Sequence, residues 1–69
     1  MRMQVEFERE EDGRWIAEIP AIPGALCYAP SQKEAAVKVV ALALRILADR
    51  FEHGEDVPAP FDELFCVPA

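Results

Sequence analysis

The sequence predicts an α+β fold with a three-stranded antiparallel sheet, one long helix and one further C-terminal strand, in the order β-β-β-α-β. Two observations support this prediction. Apolar and polar side chains alternate along residues 3–10 and 14–19, which is the period of a strand with one buried face. Residues 32–53 lack Gly and Pro and are rich in Ala, Leu, Val, Lys and Arg, as is typical of a helix. A chain of 69 residues is expected to form a single domain, residues 1–69.

A β-hairpin comes first. Its turn is predicted at residues 11–13, where Gly13 can adopt a positive φ without the steric cost of a Cβ atom. The alternation assigns one set of apolar side chains to the core: Met3, Val5, Phe7, Trp15, Ala17 and Ile19. The other face of the first strand carries carboxylates and is expected to contact water.

Two further strands are predicted. Pro and Gly in the stretch 20–24 limit regular pairing and redirect the chain. The short apolar segment 25–29 that follows is interpreted as the third strand. After the helix, residues 57–60 form an extended connector with two prolines, and residues 61–67 are predicted to be the last strand.

The helix has recognisable start and stop signals. Ser31 and Glu34 form a capping box, in which the Ser31 hydroxyl accepts a hydrogen bond from the Glu34 amide and the Glu34 carboxylate reaches back. Gly54 suits the left-handed position just after a helix. These signals predict a helix over residues 32–53.

Apolar side chains occupy more of the helix surface than one contact with the sheet requires. At about 100° per residue they form two stripes with a charged strip between them. The broader stripe, expected to cover the sheet, consists of Val37, Val40, Ala41, Leu44, Leu47, Ala48 and Phe51. The second stripe, Val39, Leu42 and Ile46, is predicted to be an oligomer interface, because it would otherwise leave branched side chains in water. Alternatively, the segment 61–67 folds over it.

Composition excludes several classes of protein. Hydrophobic residues make up 52% of the chain, too many for a disordered protein, and no apolar run approaches the ~18 residues of a membrane span. The N-terminus lacks the apolar region of a signal peptide, so a cytoplasmic protein is expected, with no membrane partner. The net charge of −6 argues against direct nucleic-acid binding. Solubility alone is the favoured interpretation of this charge, and attraction to a basic protein partner is the alternative.

No catalytic, metal or cofactor site is predicted. Cys27 could act as a nucleophile activated by His53, but a small buried thiol in a strand is the favoured interpretation, and Cys66 is also interpreted as structural. Two cysteines and one histidine are too few for a disulfide framework or a structural metal site. Oligomerisation is therefore the expected source of extra stability in so small a domain.

The stretch from Gly13 through Trp15 to Pro23-Gly24, followed by the Ser31 cap and Glu34-Ala35, resembles the HicB-type antitoxins. The segment 54–58, Gly-Glu-Asp-Val-Pro, also resembles the helix exit of that family. The resemblance covers about residues 3–58. Ala21, where the family often has Asp, is a departure from the pattern.

The resemblance implies a truncated ribonuclease-H-like fold without ribonuclease activity. It implies a dimer or higher oligomer that neutralises a small basic HicA-type toxin, an mRNA-cleaving ribonuclease. Many members continue into a DNA-binding domain, for which this chain has no room, so DNA binding is not expected. The candidate partner-binding residues are Glu6, Glu8, Glu10, Glu55 and Asp56.

Two rival functions remain open from the sequence. One is an orphan oligomeric interaction or regulatory module that binds another protein or a small ligand. The other is a minor enzyme that uses Cys27. A toxin-like gene beside this one would favour the antitoxin.

Overall fold

A computed structural model of the chain describes residues 3–54. The elements are strand β1 (Glu6–Arg9), strand β2 (Trp15–Glu18), strand β3 (Leu26–Ala29) and helix α1 (Gln32–Glu52). The strands form one antiparallel sheet in the order β1-β2-β3, and α1 packs against β2 and β3. The α+β prediction is confirmed for this sheet and helix. The predicted last strand, residues 61–67, lies outside the described residues.

The hairpin between β1 and β2 closes through short backbone hydrogen bonds. The Glu10 amide donates to the Arg14 carbonyl at 2.8 Å, and the Gly13 amide donates to the Glu10 carbonyl at 3.0 Å. Gly13 has a φ of 91°, a value that a side chain with a Cβ atom rarely adopts. The predicted turn is confirmed.

Two consecutive turns connect β2 to β3. The Ile22 amide donates to the Ile19 carbonyl, and the Ala25 amide donates to the Ile22 carbonyl, each at 3.0 Å. The Ile22 side chain is 2% exposed and anchors this connection in the core. Gly24 has a φ of 92°, and a Cβ atom there would lie 3.7 Å from the Ile46 Cδ1 atom. The connection is therefore held by packing as well as by its turns.

The helix begins and ends where the sequence predicts, to within one residue. The Ser31 hydroxyl accepts a hydrogen bond from the Glu34 amide at 3.1 Å, which satisfies one of the free amides of the first turn. His53 is the C-terminal cap, and Gly54 follows with a φ of 68°. At 1.5 Å per residue, α1 is about 31 Å long.

The core between sheet and helix is thin. Its nine buried residues are Ala17, Ile19, Ile22, Ala25, Ala29, Ala35, Val39, Ala43 and Leu47. Five of the nine are alanines, so the helix lies close to the sheet but removes little apolar area from water for each residue. Half-buried side chains at the margin extend the core: Met3, Val5, Phe7, Trp15, Cys27 and Ile46. The prediction that the apolar face of the hairpin points inward is confirmed.

The assignment of the two helix stripes is wrong. Val39 is completely buried, Ile46 packs against the core and Leu42 is half-buried, so the stripe expected to face outward lies against the sheet. Val37, Val40 and Leu44 are 65%, 45% and 58% exposed, although they were expected to cover the sheet. The physical reason is that Ala35 and Ala43 flank Val39 on the inner side and allow close packing. Leu47 alone of the expected inner stripe is fully buried.

Candidate functional site

The outer face of the sheet, away from α1, combines carboxylates with apolar side chains. The register aligns Glu6 with Glu18 and Glu18 with Leu26, and it aligns Glu8 with Ile16 and Ile16 with Tyr28. Side chains directly across neighbouring strands share one face of a sheet. We call this surface the acidic sheet face, and its residues are Glu6, Glu8, Ile16, Glu18, Leu26 and Tyr28.

The charges on the acidic sheet face are not neutralised within the part of the chain that the structure describes. Glu6 and Glu18 are directly opposite each other on β1 and β2. Like charges in that position destabilise a sheet. Over residues 3–54 the ion pairs join Arg14 to Asp12 and His53 to Asp49, and neither pair includes a carboxylate of this face. The three carboxylates therefore remain available to a cationic partner.

Apolar side chains lie at the β3 side of the same face. Leu26 is 42% exposed and Tyr28 is 45% exposed, although both are in a strand. The Arg14 guanidinium lies over the Tyr28 ring, with its Cζ atom 4.9 Å from the ring centroid. The face thus offers an aromatic ring, a residue type enriched at protein interfaces, and an aliphatic side chain next to its carboxylates.

Arg14 is itself held in place by the hairpin turn. Its Nε atom donates to Asp12 Oδ2 at 2.7 Å, and its backbone amide donates to Asp12 Oδ1 at 3.0 Å. The hydrogen bond from that amide, helped by the bond and the positive charge of the Arg14 side chain, holds the pKa of Asp12 below its ordinary value of 3.8. The guanidinium that lies over Tyr28 is therefore already paired with Asp12.

The predicted partner-binding residues fall into three groups. Glu6 and Glu8 are exposed on the acidic sheet face, whereas Glu10 is half-buried and its backbone closes the hairpin turn. Glu55 and Asp56 lie outside the described residues. The structure therefore brings Glu6 and Glu8 together on this face, and the Glu10 backbone closes the turn at the end of the strand.

Sequence reasoning did not assign four members of this face, namely Ile16, Glu18, Leu26 and Tyr28. Glu18, Leu26 and Tyr28 join Glu6 and Glu8 only through the pairing of β2 with its two neighbours. The alternation along β2 did place Glu18 on the polar side. To place these residues beside Glu6 and Glu8, one needs the register between neighbouring strands. The alternation within a single strand does not give that register.

The residues considered for chemistry have structural surroundings. Cys27 carries a free thiol, is half-buried and packs against the core, opposite Ala17. The His53 Nδ1 atom lies 2.8 Å from the Asp49 carbonyl oxygen and 3.3 Å from Asp49 Oδ1, at the end of the helix. Within residues 3–54, no three His, Cys, Asp or Glu side chains cluster in a way that could hold a metal ion.

The outward side of α1 forms a second exposed surface. Val37, Val40, Ala41 and Leu44 line a shallow depression together with Ala36. We call the four residues at positions 37, 40, 41 and 44 the outer helix stripe. It contains no charged side chain. It faces away from the sheet, because the buried residues Val39 and Ala43 lie on the opposite side of α1.

The helix does not have the properties of a membrane span. Within the described part of the chain, no helix combines the length and the apolar character needed to cross a bilayer.

Comparison with known proteins points to a distant relative. The chain is 26% identical over 58 residues to the UPF0150 protein Ta0767 of Thermoplasma acidophilum, and the aligned region covers 84% of each chain. No family model matches the chain, and no solved structure matches it. The chain is thus similar to a UPF0150 protein over most of its length, which is a family-level likeness only.

Proposed function

We propose that this protein is a non-enzymatic, HicB-like antitoxin. It acts in the cytoplasm by binding a small basic HicA-type toxin and blocking the surface with which that toxin binds mRNA. The observation that supports this proposal most strongly is the acidic sheet face, where Glu6, Glu8 and Glu18 lie without ion-pair partners among the described residues.

The resemblance to HicB-type antitoxins supports the same proposal. It depends on Gly13, the Trp15 strand, the Pro23-Gly24 exit and the Ser31 cap, each of which has a structural part in the fold. The relative in Thermoplasma acidophilum is a UPF0150 protein, and UPF0150 is a HicB-like family. The functional assignment agrees with both observations.

Electrostatics provides the mechanism. A ribonuclease must attract the phosphates of RNA, so its substrate surface carries lysine and arginine side chains. Carboxylates arranged on a flat sheet face compete for those cations, and opposite charges on the two proteins accelerate their encounter. Leu26 and Tyr28 would then supply the apolar contact that slows dissociation.

The opposed carboxylates of Glu6 and Glu18 also affect the stability of the free protein. Their mutual repulsion opposes folding of the free protein, and cations from a partner would relieve it. Replacing one of them by glutamine should therefore weaken binding without weakening the fold.

Co-expression with a HicA-type toxin tests the proposal. We expect the wild-type protein to rescue cells from toxin-induced growth arrest. The variant Glu6→Gln/Glu18→Gln should rescue much less well, because it removes two charges from the acidic sheet face. A control variant, Glu11→Gln/Glu52→Gln, removes the same charge at two exposed positions elsewhere and should rescue like the wild type.

Three outcomes would contradict the proposal. The wild-type protein could fail to rescue growth, the sheet-face variant could rescue fully, or both variants could lose rescue equally. If the wild type fails and purification recovers no small basic protein, the chain is instead an orphan interaction module.

A further inference from the structure

Arg14 lies between the hairpin turn and the aromatic side chain of the acidic sheet face. It comes two residues before Ile16 of β2, and Ile16 lies directly opposite Tyr28 of β3. This offset makes Arg14 and Tyr28 diagonal neighbours on one side of the sheet, within reach of a long side chain. The Arg14 Cζ atom is 4.9 Å from the centroid of the Tyr28 ring, a distance at which a guanidinium and an aromatic face attract each other.

Asp12 holds Arg14 from the side of the turn. Its carboxylate accepts the Arg14 backbone amide at 3.0 Å through Oδ1 and the Arg14 Nε–H at 2.7 Å through Oδ2. Because both bonds end on one side chain, they constrain the direction of the guanidinium as well as its position. The Arg14 and Asp12 side chains are 57% and 54% exposed, so their ion pair contributes little to stability. The contact orients side chains and does not fill the core.

Tyr28 has few other contacts to orient it. It is in β3, at one end of the three-stranded sheet that residues 3–54 form, and 45% of the residue is exposed. A side chain in a strand commonly has two χ1 rotamers to choose from. The contact with Arg14 favours the rotamer that brings the ring under the guanidinium. The hydrogen bonds at Asp12 are thus transmitted through Arg14 to the orientation of an exposed ring.

We propose that Arg14 is a positioning residue of the toxin-binding surface and that it acts through Tyr28. This inference rests on the proposed antitoxin function and names the residue that prepares its apolar contact. A ring that is already held in one rotamer loses less conformational entropy when a partner packs against it. The guanidinium also covers one face of the ring, where a cation of the partner would otherwise bind. Lysines and arginines of a basic toxin are thereby left to the carboxylates Glu6, Glu8 and Glu18.

A role in positioning and a role as a charge predict opposite effects when Arg14 is changed. A guanidinium repels a basic partner, so loss of its charge should accelerate association if Arg14 acts only as a charge. If Arg14 positions the Tyr28 ring, its loss should accelerate dissociation instead. Arg14→Lys separates the two effects, because lysine keeps the positive charge but lacks the planar guanidinium and its Nε donor.

The kinetics of binding to a purified, immobilised HicA-type toxin test this inference. We expect Arg14→Lys to dissociate about fivefold faster than the wild type, with an association rate within about twofold of it. Arg9→Lys is the matched control. The Arg9 Cζ atom lies 5.9 Å from the centroid of the Trp15 ring, which packs against the core on the other side of the sheet. The dissociation rate of this control should match that of the wild type.

A double variant shows whether Arg14 acts through the ring. Tyr28→Leu should raise the dissociation rate about tenfold, because it removes an aromatic contact from the interface. Arg14→Lys/Tyr28→Leu should also be about tenfold faster than the wild type, since no ring is left to position. If the double variant instead shows the product of the two single effects, about fiftyfold, Arg14 acts independently of Tyr28 and the inference fails while the proposed function stands.

NMR of the free protein provides a readout that does not involve the toxin. The three-bond couplings between Hα and Hβ of Tyr28 should indicate one χ1 rotamer in the wild type and averaging in Arg14→Lys and Asp12→Ala. Circular dichroism should show the same fold for all variants, because the substituted side chains are exposed. Averaged couplings in the wild type, or one rotamer kept in both variants, would overturn the inference whether or not a toxin binds. A wild type that does not bind the toxin would contradict the proposed function, and the inference would fail with it.

Discussion

The two outward surfaces of this protein differ in charge more than in apolar content. The acidic sheet face has Leu26 and Tyr28 beside three carboxylates, whereas the outer helix stripe has branched side chains and no charge. Charge determines which partner each surface can accept. Two acidic sheet faces repel each other and attract a cationic protein, whereas two outer helix stripes carry no charge that would keep them apart. The two outward surfaces of this fold therefore differ in the chemistry that each offers to a partner.

The largest expected effect is a difference in stability between substitutions of Val39 and Val40, which are adjacent in the sequence but lie on different sides of α1. Val39→Ala removes two methyl groups from a completely buried site and should lower the free energy of unfolding by about 2 kcal/mol. Val40→Ala, at a site that is 45% exposed, should lower it by less than about 0.5 kcal/mol. Urea unfolding at low micromolar concentration measures both. A greater loss for Val40→Ala would show that the inner side of the helix is the one first expected from the sequence.

Salt should affect the two surfaces differently. Association with a basic toxin should slow by about tenfold between low and high ionic strength, because screening removes the attraction between opposite charges. This salt dependence should be smaller for Glu6→Gln/Glu18→Gln and unchanged for Leu44→Gln, which alters the outer helix stripe without changing its charge. Stopped-flow mixing of each protein with the toxin measures the rates. Equal salt sensitivity of all three proteins would remove the distinction between the surfaces.

A smaller effect concerns the opposed carboxylates. Glu6→Gln should raise the free energy of unfolding by a few tenths of a kcal/mol, about 0.3, because it relieves repulsion from Glu18. Glu11→Gln, in the hairpin turn, serves as the control and should leave stability nearly unchanged. Chemical denaturation at low salt would detect the difference. Destabilisation by Glu6→Gln would mean that its carboxylate has a stabilising contact.

The smallest effect concerns Asp12 beside the acidic sheet face. Hydrogen bonds from Arg14 hold the pKa of Asp12 below 3.8 in the folded protein. A lowered folded pKa stabilises the protein above the unfolded pKa, and this contribution is lost as the pH falls through the folded value. NMR titration should give an Asp12 midpoint below 3.8, and Arg14→Gln should raise it. A midpoint at or above 3.8 in the wild type would contradict this account of the turn.

The strands could be predicted from the sequence because their period is unambiguous. A shift of one residue in the register of a strand moves every side chain to the opposite face of the sheet. The alternation of Val5, Glu6, Phe7 and Glu8 is compatible with only one assignment of side chains to the buried face. The caps of α1 were equally clear, since Ser31 and Gly54 have well-defined roles at helix ends. What the alternation could not supply was which residues of β2 and β3 lie beside Glu6 and Glu8.

The phase of the helix was the principal error, and its cause is physical. Apolar residues cover most of the helix surface, so the charged strip borders both apolar stripes and does not distinguish them. Counting large side chains favoured the stripe that contains Val40 and Leu44. The sheet instead contacts the side with Ala35, Val39 and Ala43, because small residues let the helix approach closely. Complementary alanines on the sheet side, Ala17 among them, were the signal that counting overlooked.

Calorimetric titration of a purified HicA-type toxin into three forms of the full-length protein tests the separation of the two surfaces most directly. Relative to wild type, we predict that Glu6→Gln/Glu18→Gln weakens binding by about tenfold or more, whereas Leu44→Glu binds the toxin with nearly unchanged affinity. The opposite pattern, with affinity lost in Leu44→Glu and kept in Glu6→Gln/Glu18→Gln, would contradict the assignment of the acidic sheet face to the basic partner.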